Sequence, residues 1–387
     1  VPPTPTALHD FLHAPTPAGE FIARPTPYTA FDVAIAVSAY RDLVRQLPLD
    51  ETWFALKAAP LTPLVRALHA EGCGFDVASV PEIDQVLAAG VPAGQLSYGN
   101  PVRSREEVHA AADRGIRTWV VDHDDDLQRI AVAAPGSRVV FRLAVQGAGA
   151  DWPLSQRFGT STDQAVHLAR SAARAGLRPA GLAWHVGSLQ RDTNAWDRPL
   201  GEAAAVWSTL ADDGIDLELL DLGGGLAGPG YRHPAPPLAD FAAAITRAVD
   251  RHFPTRPRLV AEPGRSLVAA AGASVVSVKA VLERTDGARH VFVDGLVFGL
   301  GLIEGMDGSV EYRITAPDHH PDAPTADILL QGPTCDSVDQ LKAKTPYTAP
   351  LDLKAGDRLI IHDCGAYSFS YAAQNFNGWT PAPVVVL

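Results

Sequence analysis

Phe54-Ala55-Leu56-Lys57-Ala58-Ala59-Pro60 is an apolar run that reads as a buried strand, yet it carries a lysine at its end. Lysine is rarely buried without a partner or a task, so this residue needs a reason. One reading is a side chain whose ammonium snorkels to water at a strand mouth. The other is a crowded, partly desolvated amine that loses its proton readily and forms a Schiff base with a carbonyl cofactor. What stands at the ends of the neighbouring strands decides between them.

Outward from this run, the chain alternates short apolar runs with helix-like stretches from about Tyr28 onward. Residues 32–46 read as a helix, and strands are predicted at 51–57, 74–79, 96–100, 118–122, 138–145, 181–186, 217–222 and 258–262, with helical stretches between them. That pattern specifies an α/β fold of the (β/α)8 TIM-barrel type. Such barrels build their chemistry at the C-terminal strand ends, where residues distant in sequence converge on one mouth. Lys57, Asp76, Ser79, Asn100, Arg142, His185, Ser188, Gly223-Gly224-Gly225, Glu262 and Arg265 all fall at or just after those ends. A structural lysine would not require such company.

Beyond about Gly272 the periodicity changes to alternating runs at 273–282, 289–293, 328–330 and 357–361, joined by turns. These predict a C-terminal β-rich domain of sandwich or barrel type. The expected division is a barrel over 28–270 and a β-rich domain made of 1–27 with 271–387. Val1-Pro2-Pro3-Thr4-Pro5 lacks a basic region and an apolar signal core, and reads as a flexible leader.

Composition narrows the function. The 44 acidic against 32 basic residues leave a net charge of -12 without a Lys/Arg-rich run, which argues against nucleic acid and anionic membranes as partners. No apolar stretch approaches the roughly 18 residues of a membrane span. Cys73, Cys335 and Cys364 are too few for a disulfide framework and lack metal-ligand spacing, so a cytoplasmic location and no metal are expected.

Each polar position has a plain reading beside its chemical one. His185 is either a satisfied core histidine or a titratable group at the mouth. The triple glycine is either a strand-to-loop turn or bare backbone whose N–H groups approach a phosphate. Glu262 is either the salt-bridge partner of Arg265 or the carboxylate that a pyridinium nitrogen requires, with Arg265 as a cationic fork for the same phosphate. Gly332-Pro333-Thr334-Cys335-Asp336 and Cys364-Gly365-Ala366-Tyr367 read in isolation as a capped turn and a glycine bend.

In order, however, nine motifs resemble one family. They are Ala55-Leu-Lys57-Ala, Gly74-Phe-Asp-Val-Ala-Ser79, Tyr98-Gly-Asn-Pro101, His185-Val-Gly-Ser188, Asp221-Leu-Gly-Gly-Gly225, Glu262-Pro-Gly-Arg265, Gly332-Pro-Thr-Cys-Asp336, Gly365-Ala-Tyr367 and Asn375-Phe-Asn-Gly378. Over about residues 28–380 the chain resembles the fold-type III pyridoxal phosphate decarboxylases, which include ornithine, lysine/ornithine and diaminopimelate decarboxylases. The resemblance implies pyridoxal 5'-phosphate as cofactor, held by Lys57 as a Schiff base with Asp76 beside it. It implies His185 stacked on the ring, Glu262 at the pyridine nitrogen, and Arg142 supporting the hydroxyl side. Ser188, Gly224, Gly225, Arg265 and Tyr367 would hold the phosphate. Cys335 is the implied proton donor to Cα, which suits a thiol. The family also implies a head-to-tail homodimer in which Cys335 and Asp336 serve the partner's site.

The implied substrate site contains Asp336, Asp307 and Phe376. Two carboxylates favour a terminal cation over a terminal acid, because each buried charge needs its opposite. The expected reaction is therefore decarboxylation of L-ornithine or L-lysine, giving putrescine or cadaverine. Diaminopimelate or another unusual diamino acid is the alternative substrate, and a non-catalytic regulatory homologue is the alternative class. Met306 and Phe298 stand where eukaryotic ornithine decarboxylases have tyrosines, so the pocket departs from theirs.

Overall fold

The computed structural model describes residues 7–13, 24–154, 157–285 and 287–387, and the chain divides into two compact units. The proposed leader, residues 1–5, lies outside the described residues.

The first unit, Ala39–Ala227 with Ala235–Gly264, contains the barrel. Its strands are β1 Glu51–Ala55, β2 Gly74–Val77, β3 Leu96–Tyr98, β4 Thr118–Val121, β5 Arg138–Arg142, β6 Arg178–Ala183, β7 Leu219–Asp221 and β8 Arg258–Ala261. They form a closed parallel ring in sequence order, sealed where Val260 of β8 pairs with Glu51 of β1. Parallel strands wrapped by helices are covered on both faces, which is why they read as unbroken apolar runs. Trp53, Val120, Val140, Ala180, Ala183, Leu219 and Val260 join in one buried cluster drawn from six of these strands. Serines start several of the surrounding helices: Ser104 Oγ accepts from Glu107 N at 3.1 Å while Ser104 N donates to the Glu107 carboxylate at 2.7 Å.

All eight expected strands are present, but the ends differ in ways that matter. β1 stops at Ala55, and Lys57 sits in a 3-10 turn, Leu56–Ala58, closed by Ala59 N donating to Leu56 O. Leu56 and Ala58 are buried while the Lys57 side chain is 46% exposed, so the lysine is neither in the strand nor buried. The turn, rather than the strand, aims it outward. Likewise β6 ends at Ala183, and His185 lies two residues past it.

A fully buried ion pair, Arg103 with Asp126, links the ends of β3 and β4. Arg103 Nη1 donates to Tyr98 O at 3.2 Å and Nη2 to Val120 O at 2.6 Å, with the guanidinium over the Tyr98 and Trp119 rings. Buried pairs are tolerated when their remaining hydrogen-bonding groups are filled in this way.

The second unit comprises Val1–Ser38, Gly228–Pro234 and Arg265–Leu387. Its described residues include a nine-stranded mixed sheet. The main path runs Ile314–Thr315, Arg358–Ile361, Gly272–Glu283, Arg289–Val293, Thr325–Gln331, Gln340–Leu341. Tyr347–Pro350 pairs with Thr325–Gln331. Tyr28–Phe31 pairs antiparallel with Gly272–Glu283 and parallel with Val384–Val386. The sequence boundary at residue 28 therefore moves: this strand completes the β-rich sheet, and the small segment Gly228–Pro234 also belongs there. Leu8 and Leu12 of the helix Ala7–His13 pack with Tyr28 and Ile360, an arrangement that sequence periodicity over seven residues does not reveal.

Candidate active site

The polar residues of the first unit converge beyond the C-terminal ends of the barrel strands. Lys57 Nζ donates to Asp76 Oδ2 at 2.8 Å, and Asp76 is buried on β2. A Cβ on Gly99, after β3, would lie 2.0 Å from Asp76 Oδ1, so glycine there is what gives the carboxylate room. Asp221 ends β7, and its Oδ1 accepts from Gly223 N at 2.9 Å. Glu262 directly follows β8, where its N–H donates to Gly223 O at 2.9 Å. Asp76 Oδ1 and Asp221 Oδ2 are both buried without a hydrogen-bond partner.

The triple glycine is required by close packing. Gly223 and Gly225 have φ of 68° and 107°, and a Cβ on Gly223 would come within 1.9 Å of Trp184 O. Gly224 lies against His185, whose Nε2 would be 3.2 Å from an added Cβ. Ser188 belongs to a short strand, Ser188–Gln190, paired with Ala150–Trp152, a ribbon that the sequence did not suggest. Arg142 ends β5 with its guanidinium over the Phe158 ring at 5.3 Å.

Electrostatics sort these groups. Desolvation, with the Arg142 and Lys57 cations facing it, pulls the His185 pKa down to about 3, so the ring is neutral at pH 7. Gly187 N donates to its Nδ1 at 3.0 Å, which leaves the proton on Nε2. Desolvation pushes Asp221 up to about 6 against the hydrogen bond from Gly223. Glu262 is driven well above the usual carboxylate range, by desolvation first and then by Asp221 and Asp76. Three carboxyl groups thus face two cations, Lys57 and Arg142, and Glu262, with its raised pKa, holds a proton where a third cation would stand.

Asp221 yields a pH prediction. Its pKa rises on folding from 3.8 to about 6, so its contribution favours the fold at acid pH and is lost as pH climbs through about 6. In cofactor-free protein, Asp221→Asn should remove that loss. The melting temperature of the wild type should therefore fall relative to the variant between about pH 4 and pH 7. Parallel melting curves across that range would refute the assignment.

Ser79 caps the helix Val80–Ala88 and Asn100 Nδ2 donates to Ala78 O at 3.2 Å in the first unit, whereas Arg265, Tyr367, Cys335, Asp336, Asp307 and Phe376 lie in the second. Arg265 is buried, and Tyr367 has a left-handed φ of 51° with its ring 4.9 Å from the Arg265 Cζ. Cys335 and Asp336 are exposed, and Cys335 N donates to Asn377 Oδ1 at 2.9 Å. Asp307 is also exposed and accepts from Ser309 N at 2.9 Å, while the Phe376 ring lies 4.5 Å from that of Phe298, tilted by 32°. Glu304, three residues before Asp307, is the buried carboxylate of that segment, and neither it nor Asp221 was given a role from sequence.

A sequence profile for the pyridoxal-binding domain of pyridoxal-dependent decarboxylases matches residues 34–269. The chain belongs to this family. Among its relatives in the pyridoxal-dependent decarboxylases, the lysine/ornithine decarboxylase of Selenomonas ruminantium is 31% identical over 363 residues, covering 94% of this chain and 90% of that one. The crystal structure of lysine/ornithine decarboxylase from Vibrio vulnificus, complexed with putrescine, superposes with a TM-score of 0.83 at 29% identity, covering 94% of both chains. Antizyme inhibitor 2 of Xenopus laevis is 28% identical, covering 91% of this chain and 79% of that one.

The site fits the family's cofactor on its own evidence. A protonated pyridine nitrogen would be that third cation beside Glu262, and the neutral His185 ring offers a flat face without adding a cation.

Proposed function

We propose that this chain is a pyridoxal phosphate-dependent carboxy-lyase acting on basic L-amino acids, with L-ornithine or L-lysine as substrate and putrescine or cadaverine as product. The observation that carries this reading is Lys57 ion-paired to Asp76 beside the raised Glu262–Asp221 carboxyl groups, where Glu262 holds a proton in place of a third cation. The names of the relatives, lysine/ornithine and ornithine decarboxylase, support the substrate class.

Bound pyridoxal phosphate supplies an electron-accepting ring that stabilises the charge left at Cα when CO2 departs. The protein's own groups do the rest. Lys57 Nζ is the amine that attaches the cofactor, and Asp76 holds that amine in place. Glu262, with Asp221 beside it, would pair the pyridine nitrogen. His185, neutral at pH 7, would offer its face to the ring, and Arg142 would support the hydroxyl side. Ser188, Gly224, Gly225, Arg265 and Tyr367 are assigned to the phosphate by the motifs in which they stand. The Cys335 thiol gives its proton to Cα, and Asp336, Asp307 and Phe376 receive the distal part of the substrate.

We further infer a homodimer in which Cys335 of the partner subunit completes each site. Its exposure in the single chain leaves it available for that role. Three cysteines without a disulfide suit a cytoplasmic location. Among the described residues, no helix is long and apolar enough to cross a membrane.

The deciding experiment is CO2 release from L-ornithine, L-lysine, L-arginine and meso-diaminopimelate, each offered to the cofactor-loaded protein. Turnover of ornithine or lysine is expected, in a ratio that reports pocket length. Turnover of diaminopimelate alone would overturn the roles of Asp336 and Asp307. Cofactor binding without turnover of any of the four would favour the regulatory class to which antizyme inhibitor 2 belongs by name.

A further inference from the structure

Arg265 is 4% exposed, and its guanidinium is already engaged within the second unit. Nη1 donates to Tyr231 Oη at 3.0 Å, and both carboxylate oxygens of Glu304 lie 2.7 Å from Nη2. The Tyr231 and Tyr367 rings flank Cζ at 5.8 Å and 4.9 Å. Glu304 is itself 3% exposed, which makes this a buried ion pair of opposite unit charges.

A guanidinium left in such surroundings without a counter-charge would strongly destabilise the fold, so Glu304 answers a need that exists before any ligand binds. The reading of Arg265 as a phosphate ligand, on which this inference rests, brings a second anion to the same cation. Glu304 and that anion would compete for one guanidinium. Burial raises the pKa of Tyr231 and Tyr312, which keeps both phenols neutral. Arg313 is committed to Asp363 at 3.1 Å, and Asp307 adds negative charge on the Glu304 side. Two anions sharing one cation in a dry site repel each other.

We propose that Glu304 is a built-in stand-in for the cofactor's phosphate: it holds Arg265 while the phosphate is absent and opposes the phosphate when it arrives. Glu304 thereby sets cofactor affinity below what Arg265 alone would give. Desolvation raises the Glu304 carboxyl pKa despite Arg265, which eases its neutralisation as a second anion approaches.

The test compares pyridoxal phosphate with pyridoxal, which lacks the phosphate, by absorbance titration of the cofactor-free protein. Glu304→Gln keeps the shape and removes the charge. It should tighten pyridoxal phosphate binding about tenfold or more, leave pyridoxal binding unchanged, and lower the melting temperature of the cofactor-free protein. Tyr231→Phe removes a hydrogen bond without changing charge and should not tighten either ligand. Weaker pyridoxal phosphate binding in Glu304→Gln, or an equal shift for both ligands, would overturn the proposal and leave Glu304 a plain structural partner. Arg265→Met separates the two layers of argument, because it should abolish the preference for pyridoxal phosphate over pyridoxal. A preference that survives in Arg265→Met would overturn the phosphate reading of Arg265 itself, whatever Glu304→Gln does.

Discussion

Replacing Lys57 with alanine should reduce CO2 release from the best substrate at least about 10³-fold, the scale on which loss of a positioned reacting group is felt. The expectation follows from geometry. Lys57 is held at 2.8 Å by a buried aspartate, yet its side chain is 46% exposed, so it combines a fixed position with access from solvent. The surrounding cluster contains no other lysine to take its place, since Arg142 is a guanidinium and does not act as an amine nucleophile. The variant should still fold, at a lower melting temperature, because Leu56 and Ala58 are untouched while the buried Asp76 loses its ion-pair partner. Borohydride should fix a pyridoxyl group covalently on the wild type and not on the variant. Residual turnover near the wild-type rate, or covalent labelling of the variant at another lysine, would remove Lys57 from its role.

Glu262→Gln should lower kcat by about 10²–10³-fold while cofactor binding persists, comparable to losing one preorganised charge-stabilising contact. Glutamine preserves the shape and the backbone bond to Gly223, but it cannot carry the negative charge that keeps a pyridine nitrogen protonated. The raised pKa of Glu262 belongs to a cluster short of a cation, and arrival of that cation would let the carboxyl ionise. The absorbance of bound cofactor separates this effect from simple loss of binding. A kcat within a fewfold of wild type would sink the pairing, and a large rise in KM alone would recast Glu262 as a binding group.

The barrel was legible because a strand buried on both faces must be apolar along its whole length. Runs such as Thr118-Trp119-Val120-Val121 leave little else to read. The same logic overran the strand ends. Ala58 and Ala59 continue the apolar run past β1, although the backbone has already turned, and this hid the exposure of Lys57. Short edge elements escaped for the opposite reason. Val384–Val386 and Tyr347–Pro350 are brief, and their pairing depends on partners far away in sequence. Motif order singled out Lys57, Asp76, His185, Glu262 and Arg265 as expected site residues, since each stands in a recognisable local pattern. Glu304 carried no such signal. It acquires meaning only through Arg265, 39 residues earlier, and no periodicity links the two.

The seal between β8 and β1 has a bearing on how this molecule matures. Ala55 N donates to Pro263 O at 3.1 Å, so the segment leading to Lys57 is fastened beside Glu262 by the last contact of the ring. During synthesis Lys57 emerges some two hundred residues before Glu262. A ribosome-bound chain stopped short of β8 can hold neither a closed ring nor the full set of residues at its mouth, and a ligand that binds only the finished barrel would stabilise the closed circle.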